Sequence, residues 1–186
     1  PLAKALMDAG FKVLEITFRS AIASEAIKKI NENYPELILL AGTVLSPEMA
    51  QEALDSGSKG IVSPGFNLDT VRWCKKNKAF IIPGVATPTE LEGAIREGLD
   101  LVKLFPSESL GGVNYIKDLS GPYRKMRFFA TGGINNSNIE NYLKQSNLLC
   151  CGGSWIIRKE DLEKKNFDII EKFARIELQK IKDLSR

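Results

Sequence analysis

The feature that most constrains this chain is a repeating alternation. Short apolar runs rich in β-branched residues take turns with longer stretches whose apolar residues recur at helical spacing. A chain of 186 residues written this way reads as repeated βα units around a parallel sheet, and its length suits one domain spanning 1–186 with one sizeable core. Strands are expected at 13–18, 37–41, 60–62, 80–82, 101–104, 127–130 and 148–151. Helices are expected at 24–33, 47–56, 68–77, 87–97, 115–119, 139–145 and 167–184. Ser46-Pro47 places a capping hydroxyl before a proline at the first helical position, and Thr87-Pro88-Thr89-Glu90 adds a capping box.

Seven parallel strands do not close a standard barrel, whereas eight do. The chain opens at Pro1 inside an amphipathic stretch (Leu2, Ala5, Leu6, Ala9), so the expected architecture is α/β, a (β/α)8 TIM barrel whose first strand is missing from this N-terminally incomplete chain.

Composition narrows the chemistry. The sequence has 0 histidines, which removes Ser-His-Asp triads, Cys-His pairs, H-E-x-x-H zinc sites and histidine general bases together. Cys74, Cys150 and Cys151 form neither a disulfide framework nor a C-x-x-C zinc spacing and are expected to be buried thiols in a reducing cytosol. Net charge is only +3, and the densest basic stretch, near the end, is interleaved with acids on a helical pattern. That is a solvated helix face, so no nucleic-acid partner is expected. No apolar run approaches the roughly 18 residues that span a bilayer, and no signal core follows a basic start, so a cytoplasmic protein without membrane partners is expected.

A barrel of this type builds its active site at the carboxyl ends of its strands. In Leu101-Val102-Lys103-Leu104-Phe105, alternation places Leu101, Lys103 and Phe105 on one face. A mid-strand lysine is costly to bury, and the same desolvation disfavours its ammonium form and frees the amine to attack a carbonyl. The alternative is an edge-strand or snorkelling lysine. In Val13-Leu14-Glu15-Ile16-Thr17-Phe18-Arg19, Glu15, Thr17 and Arg19 share the face opposite Leu14, Ile16 and Phe18. That supplies a carboxylate for proton transfer and a guanidinium able to grip a substrate carboxylate, or else a structural Glu15–Arg19 ion pair. Two glycine turns, Thr131-Gly132-Gly133 and Gly152-Gly153-Ser154, follow the last two strands, where barrels commonly bind phosphate through backbone N–H groups. Thr43, Ser63-Pro64-Gly65 and Pro83-Gly84 sit at other strand ends.

The segments LEITFRS, AGTVLSPE, SPGF, IIPGVATPTE, VKLFPSE, TGGI and CGGSW run in order through nearly the whole chain. With them the chain resembles the 2-keto-3-deoxy-6-phosphogluconate (KDPG) aldolase and 4-hydroxy-2-oxoglutarate aldolase family. The resemblance implies a class I aldolase in which Lys103 forms an imine with the substrate ketone and Glu15 moves protons. It implies that Arg19 and Thr43 hold the pyruvate-end carboxylate and keto region, that Pro64 and Phe105 shape the pocket, and that Thr131, Gly132, Gly133, Gly153 and Ser154 receive the phosphate. It further implies a phosphorylated keto-acid substrate, no metal, no cofactor and a homotrimer. Rival readings are a sister aldolase for the 6-phosphogalactonate epimer, a phosphosugar isomerase with Glu15 as base, and a binding barrel without catalysis.

Overall fold

The computed structural model describes residues 1–184. The elements are α1 (Leu2–Asp8), β1 (Val13–Thr17), α2 (Ala23–Asn33), β2 (Ile38–Gly42), α3 (Pro47–Asp55), β3 (Gly60–Val62), α4 (Leu68–Lys76), β4 (Ile81–Ile82) and β5 (Gly84–Val85). They continue with α5 (Pro88–Arg96), β6 (Leu101–Leu104), a 3₁₀ turn (Glu108–Leu110), α6 (Gly112–Ser120), β7 (Arg127–Thr131), α7 (Ile139–Leu143), β8 (Leu148–Gly152), α8 (Lys159–Glu163) and α9 (Phe167–Leu184). All strand pairings are parallel, in the orders β1-β2-β3-β4 and β5-β6-β7-β8, as a (β/α)8 barrel requires.

The fourth strand position departs from expectation. A single strand at 80–82 becomes two short ones, because Pro83 has no N–H to give to a ladder. Its carbonyl still accepts from the Lys103 N–H at 2.8 Å. Ile81–Ile82 pairs with β3 and Gly84–Val85 with β6, so the two four-stranded groups meet across Pro83 as one run of seven strand positions. β1 and β8 are its outer members, each with a single paired neighbour among the described residues, and they carry exposed Val13 (49%) and Leu149 (52%). Cys150 on β8 is exposed for the same reason, which corrects the expectation of three buried thiols; Cys74 is buried, Cys151 is half-buried, and all are free.

Alternation sorts the side chains into two cores. Outward-facing Leu39, Ala41, Ile61 and Ile81 pack with Ile27, Ala50, Ala53 and Val71 of the surrounding helices. Val102, Leu104, Phe128 and Ala130 do the same with Leu91, Ile116 and Ile139. Inward-facing Leu40, Val62, Ile82, Leu101 and Phe129 fill the barrel interior. α1 closes against α9 through Leu6, Ala9, Ile170 and Ala174.

The helix starts follow their capping signals. The Ser46 side chain accepts from Met49 N–H, and Thr87 and Glu90 form a complete capping box. α8 was not expected, since 159–163 has no apolar period; an Arg158–Asp161 ion pair at 2.6 Å spans its first turn. No helix of the described residues is long and apolar enough to cross a membrane.

Candidate active site

Lys103 stands on β6, which pairs with β5 on one side and β7 on the other, and the residue is only 7% exposed. The edge-strand and snorkelling alternatives therefore do not describe it. Its Nζ lies 3.5 Å from Glu15 Oε1, 5.4 Å from the Phe105 ring centre and 5.6 Å from that of Phe129. Among the described residues, an amine held in this apolar interior between two aromatic faces has one carboxylate for company. Lys103, not Arg19, is the cation that Glu15 meets among the described residues.

Two residues of β2 and its following loop define where Glu15 can lie. A Cβ on Gly42 would fall 2.6 Å from Glu15 Cδ and 2.7 Å from Cγ, and closer still to Oε1, so the carboxylate arm occupies space that only glycine leaves open. The next residue, Thr43, has φ 60, a left-handed conformation that is costly for a β-branched side chain. Backbone strain of that kind gathers at ligand-contacting positions, and Thr43 is half-buried at the strand end. Arg19 lies two residues past the end of β1, where strand alternation no longer fixes direction, and is exposed. Pro64 follows buried Ser63, whose hydroxyl donates to the Gly65 carbonyl at 2.8 Å; the Pro64–Gly65 backbone packs on Gly84, where any Cβ would overlap it.

The two glycine turns leave from directly paired residues, Thr131 on β7 and Gly152 on β8. Gly132 (φ 95) and Gly133 (φ 83) adopt left-handed backbone, and a Cβ on Gly132 would sit 3.0 Å from Pro106 Cα. A Cβ on Gly153 would overlap the Trp155 ring and lie 3.3 Å from the Ile134 carbonyl oxygen, so the second turn rests on the first. Among the described residues, the N–H groups of Gly132, Gly133, Gly153 and Ser154 have no backbone acceptor. Thr131 Oγ1 and Trp155 Nε1 are buried without a partner as well. Backbone donors left open at two adjacent strand ends suit an anion with several acceptor oxygens. The packing of Trp155 on Gly153 was not legible from sequence although both stand in the CGGSW segment, because which ring covers a turn is decided by the fold. Gly42 was missed as a determinant of Glu15 for want of any local sign. No cluster of three or more metal-ligating residues occurs among the described residues.

The family profile for KDPG and KHG aldolases matches residues 1–173. A 2-dehydro-3-deoxy-phosphogluconate aldolase of Treponema pallidum is 40% identical over 179 residues, covering 96% of this chain and 85% of that protein. The chain belongs to the KDPG and KHG aldolase family. A KHG/KDPG aldolase of Escherichia coli K12 is 39% identical, covering 94% of this chain and 82% of its own. In three dimensions the chain is similar to KDPG aldolase from Legionella pneumophila, with a TM-score of 0.91, 34% identity and coverage of 95% of this chain and 85% of that one. That structure holds pyruvate as a covalent carbinolamine intermediate. Membership in the family thus joins a buried lysine, paired with a half-buried carboxylate, to a fold in which a relative carries covalent pyruvate chemistry.

Proposed function

We propose that this chain is a class I aldolase that cleaves 2-keto-3-deoxy-6-phosphogluconate to pyruvate and glyceraldehyde 3-phosphate, and 4-hydroxy-2-oxoglutarate to pyruvate and glyoxylate. The observation that carries this reading is the placement of Lys103 Nζ, buried in the barrel and 3.5 Å from Glu15 Oε1. The neutral amine of Lys103 attacks the substrate C2 carbonyl, and Glu15 relays the protons that turn the carbinolamine into an iminium with loss of water. The iminium is a cation at the place the ammonium held, so the Glu15 carboxylate and the Phe105 and Phe129 faces remain matched to it. With the iminium as electron sink, Glu15 takes the C4 hydroxyl proton, the C3–C4 bond breaks, and the aldehyde leaves. The enamine that remains is protonated at C3, and water releases pyruvate and restores the amine.

In the same reading Arg19 and Thr43 hold the carboxylate and keto end, Pro64 and Phe105 shape the pocket, and the phosphate is received by Thr131, Gly132, Gly133, Gly153 and Ser154. The free N–H groups of those turns support that assignment. The barrel acts as a single domain, as a homotrimer in the cytoplasm, which light scattering and fractionation check.

The test is incubation with pyruvate and sodium borohydride, followed by peptide mass spectrometry. A pyruvate-sized addition confined to Lys103, absent in Lys103→Ala, is expected. A folded sample that gains no adduct overturns the imine mechanism.

A further inference from the structure

The loop after β6 carries a carboxylate that the proposed chemistry does not use. Ser107 and Glu108 N–H groups donate to the carbonyls of Thr131 (2.8 Å) and Gly132 (3.0 Å), which ties this loop alongside the first glycine turn. The Glu108 stem fills the space above Gly133, where an added Cβ would lie 2.6 Å from Glu108 Cβ and 2.7 Å from Cγ. A negative side chain is therefore rooted at the rim of the donor-rich mouth, and no cation pairs with it among the described residues.

What meets its head is a phenol. Tyr142, fully buried on α7, donates to Glu108 Oε1, and its oxygen lies 3.0 Å from Ser107 Oγ. A phenol has one proton; with that proton on the Glu108 carboxylate, Ser107 is the donor to the Tyr142 oxygen. Burial first, and then the bond to Glu108, push the Tyr142 pKa above the ordinary phenol range, so the hydroxyl keeps its proton at working pH. The carboxylate head is thereby drawn toward Gly112 at the start of α6, where a Cβ would come within 2.6 Å of Glu108 Oε1.

We propose that Tyr142 is a positioning residue that latches the Glu108 carboxylate away from the glycine turns, and that the pair sets the affinity for phosphorylated substrates. The inference rests on the placement of the phosphate at those turns. Without the latch the Glu108 stem stays against Gly133 while its charge is free to sample the rim, where it repels a phosphate dianion. 4-Hydroxy-2-oxoglutarate, whose distal carboxylate is C5 and stops short of the phosphate that KDPG carries on C6, does not reach those turns.

The experiment uses the full chain and three variants, Tyr142→Phe, Glu108→Gln and the two combined, each assayed with KDPG and with 4-hydroxy-2-oxoglutarate. Tyr142→Phe is expected to raise KM for KDPG about tenfold, the scale of a partly screened charge–charge contact at several ångströms. KM for 4-hydroxy-2-oxoglutarate and borohydride trapping of pyruvate on Lys103 stay at parent values. Adding Glu108→Gln to Tyr142→Phe is expected to restore the KDPG KM, which a merely structural loss of the phenol would not allow. An unchanged KDPG KM, an equal loss with both substrates, or no restoration in the double variant overturns the latch. Absence of a Lys103 adduct in the parent protein would instead overturn the aldolase reading, and the latch with it.

Discussion

Replacing Gly42 with alanine should disable catalysis while sparing the fold. The added Cβ would lie 2.6 Å from Glu15 Cδ and 2.7 Å from Cγ, whereas ordinary contacts begin near 3.4 Å. Every atom of the arm beyond Cβ must retreat, and the carboxylate end must move farthest. Gly42 has no left-handed φ, so its backbone accepts alanine without strain, and the obstructing atoms belong to a flexible side chain. Stability should therefore change by no more than about 1 kcal/mol, or roughly 2–4 °C in Tm for a chain of this size. The Lys103–Glu15 separation of 3.5 Å cannot survive the retreat. A displacement of about 1 Å in a catalytic group costs on the order of 10²-fold, and loss of general acid–base assistance costs about 10²–10⁴-fold. kcat should fall at least ~10²-fold, measured by coupled pyruvate release at saturating KDPG, and approach that of Glu15→Gln. Gly65→Ala is the control, because nothing lies within 4 Å of a Cβ there. A Gly42→Ala protein with parent kcat would refute the argument that the position of Glu15 governs turnover. One that fails to fold would refute the claim that the Glu15 arm yields.

Three further outcomes follow from the same geometry. The double variant Lys103→Met/Glu15→Gln should be inactive yet melt no lower than the parent by calorimetry, because an ion pair with a buried lysine and a half-buried carboxylate, exchanged for neutral groups of similar shape, is neutral or stabilising; a fall of several degrees would mark the pair as structural. Thr87→Ala removes the hydroxyl that accepts from Glu90 N–H at the start of α5 and should lower stability by about 1 kcal/mol in urea titration, with kcat unchanged. Burial raises the Cys74 thiol from 9.0 to about 11, so the unfolded chain loses this proton at lower pH than the folded one. Its contribution is complete below pH 9 and is lost as pH rises toward 11, a decline of roughly 2–3 kcal/mol that Cys74→Ala should flatten in urea titrations across that window.

Much of this was legible in the sequence, for a local reason. Strand alternation in 13–17 and 101–104 separates inward from outward residues by parity alone, so Glu15 and Lys103 could be placed on the barrel interior before any contact was known. The glycine turns were legible because both leave a residue-type signature, the first through left-handed backbone at Gly132 and Gly133 and the second through the lack of room for a Cβ at Gly153 beside Trp155. The rest depended on distance in space. Pro83 splits a strand only because neighbours on both sides demand its hydrogen bonds. Tyr142 sits among apolar residues at helical spacing and reads as core; that its hydroxyl meets Glu108 is decided by how α7 packs beside the β6 loop. Cys150 read as buried because its apolar strand resembles an inner one, and it is exposed because β8 has a single paired neighbour among the described residues. Arg19 shows the limit of parity, since it lies past the last residue of β1 to which parity applies.

The distance that matters most is the least local of all. Glu15 is on β1 and Lys103 on β6, and they are not neighbours in the sheet; they meet across the barrel interior. What holds them at that span is the apolar floor of Leu40, Val62, Ile82, Leu101 and Phe129. Leu40 is in register with Glu15, and Phe129 with Lys103, so each member of the pair stands beside a residue of that floor. In the mechanism proposed above, an amine that attacks as the neutral form and becomes an iminium cation is served by this apolar setting, with the Glu15 carboxylate at 3.5 Å to carry its protons. On the proposed mechanism the inner core of this barrel belongs to the catalytic device, because it lies between the strands that carry Glu15 and Lys103 and so spaces the two.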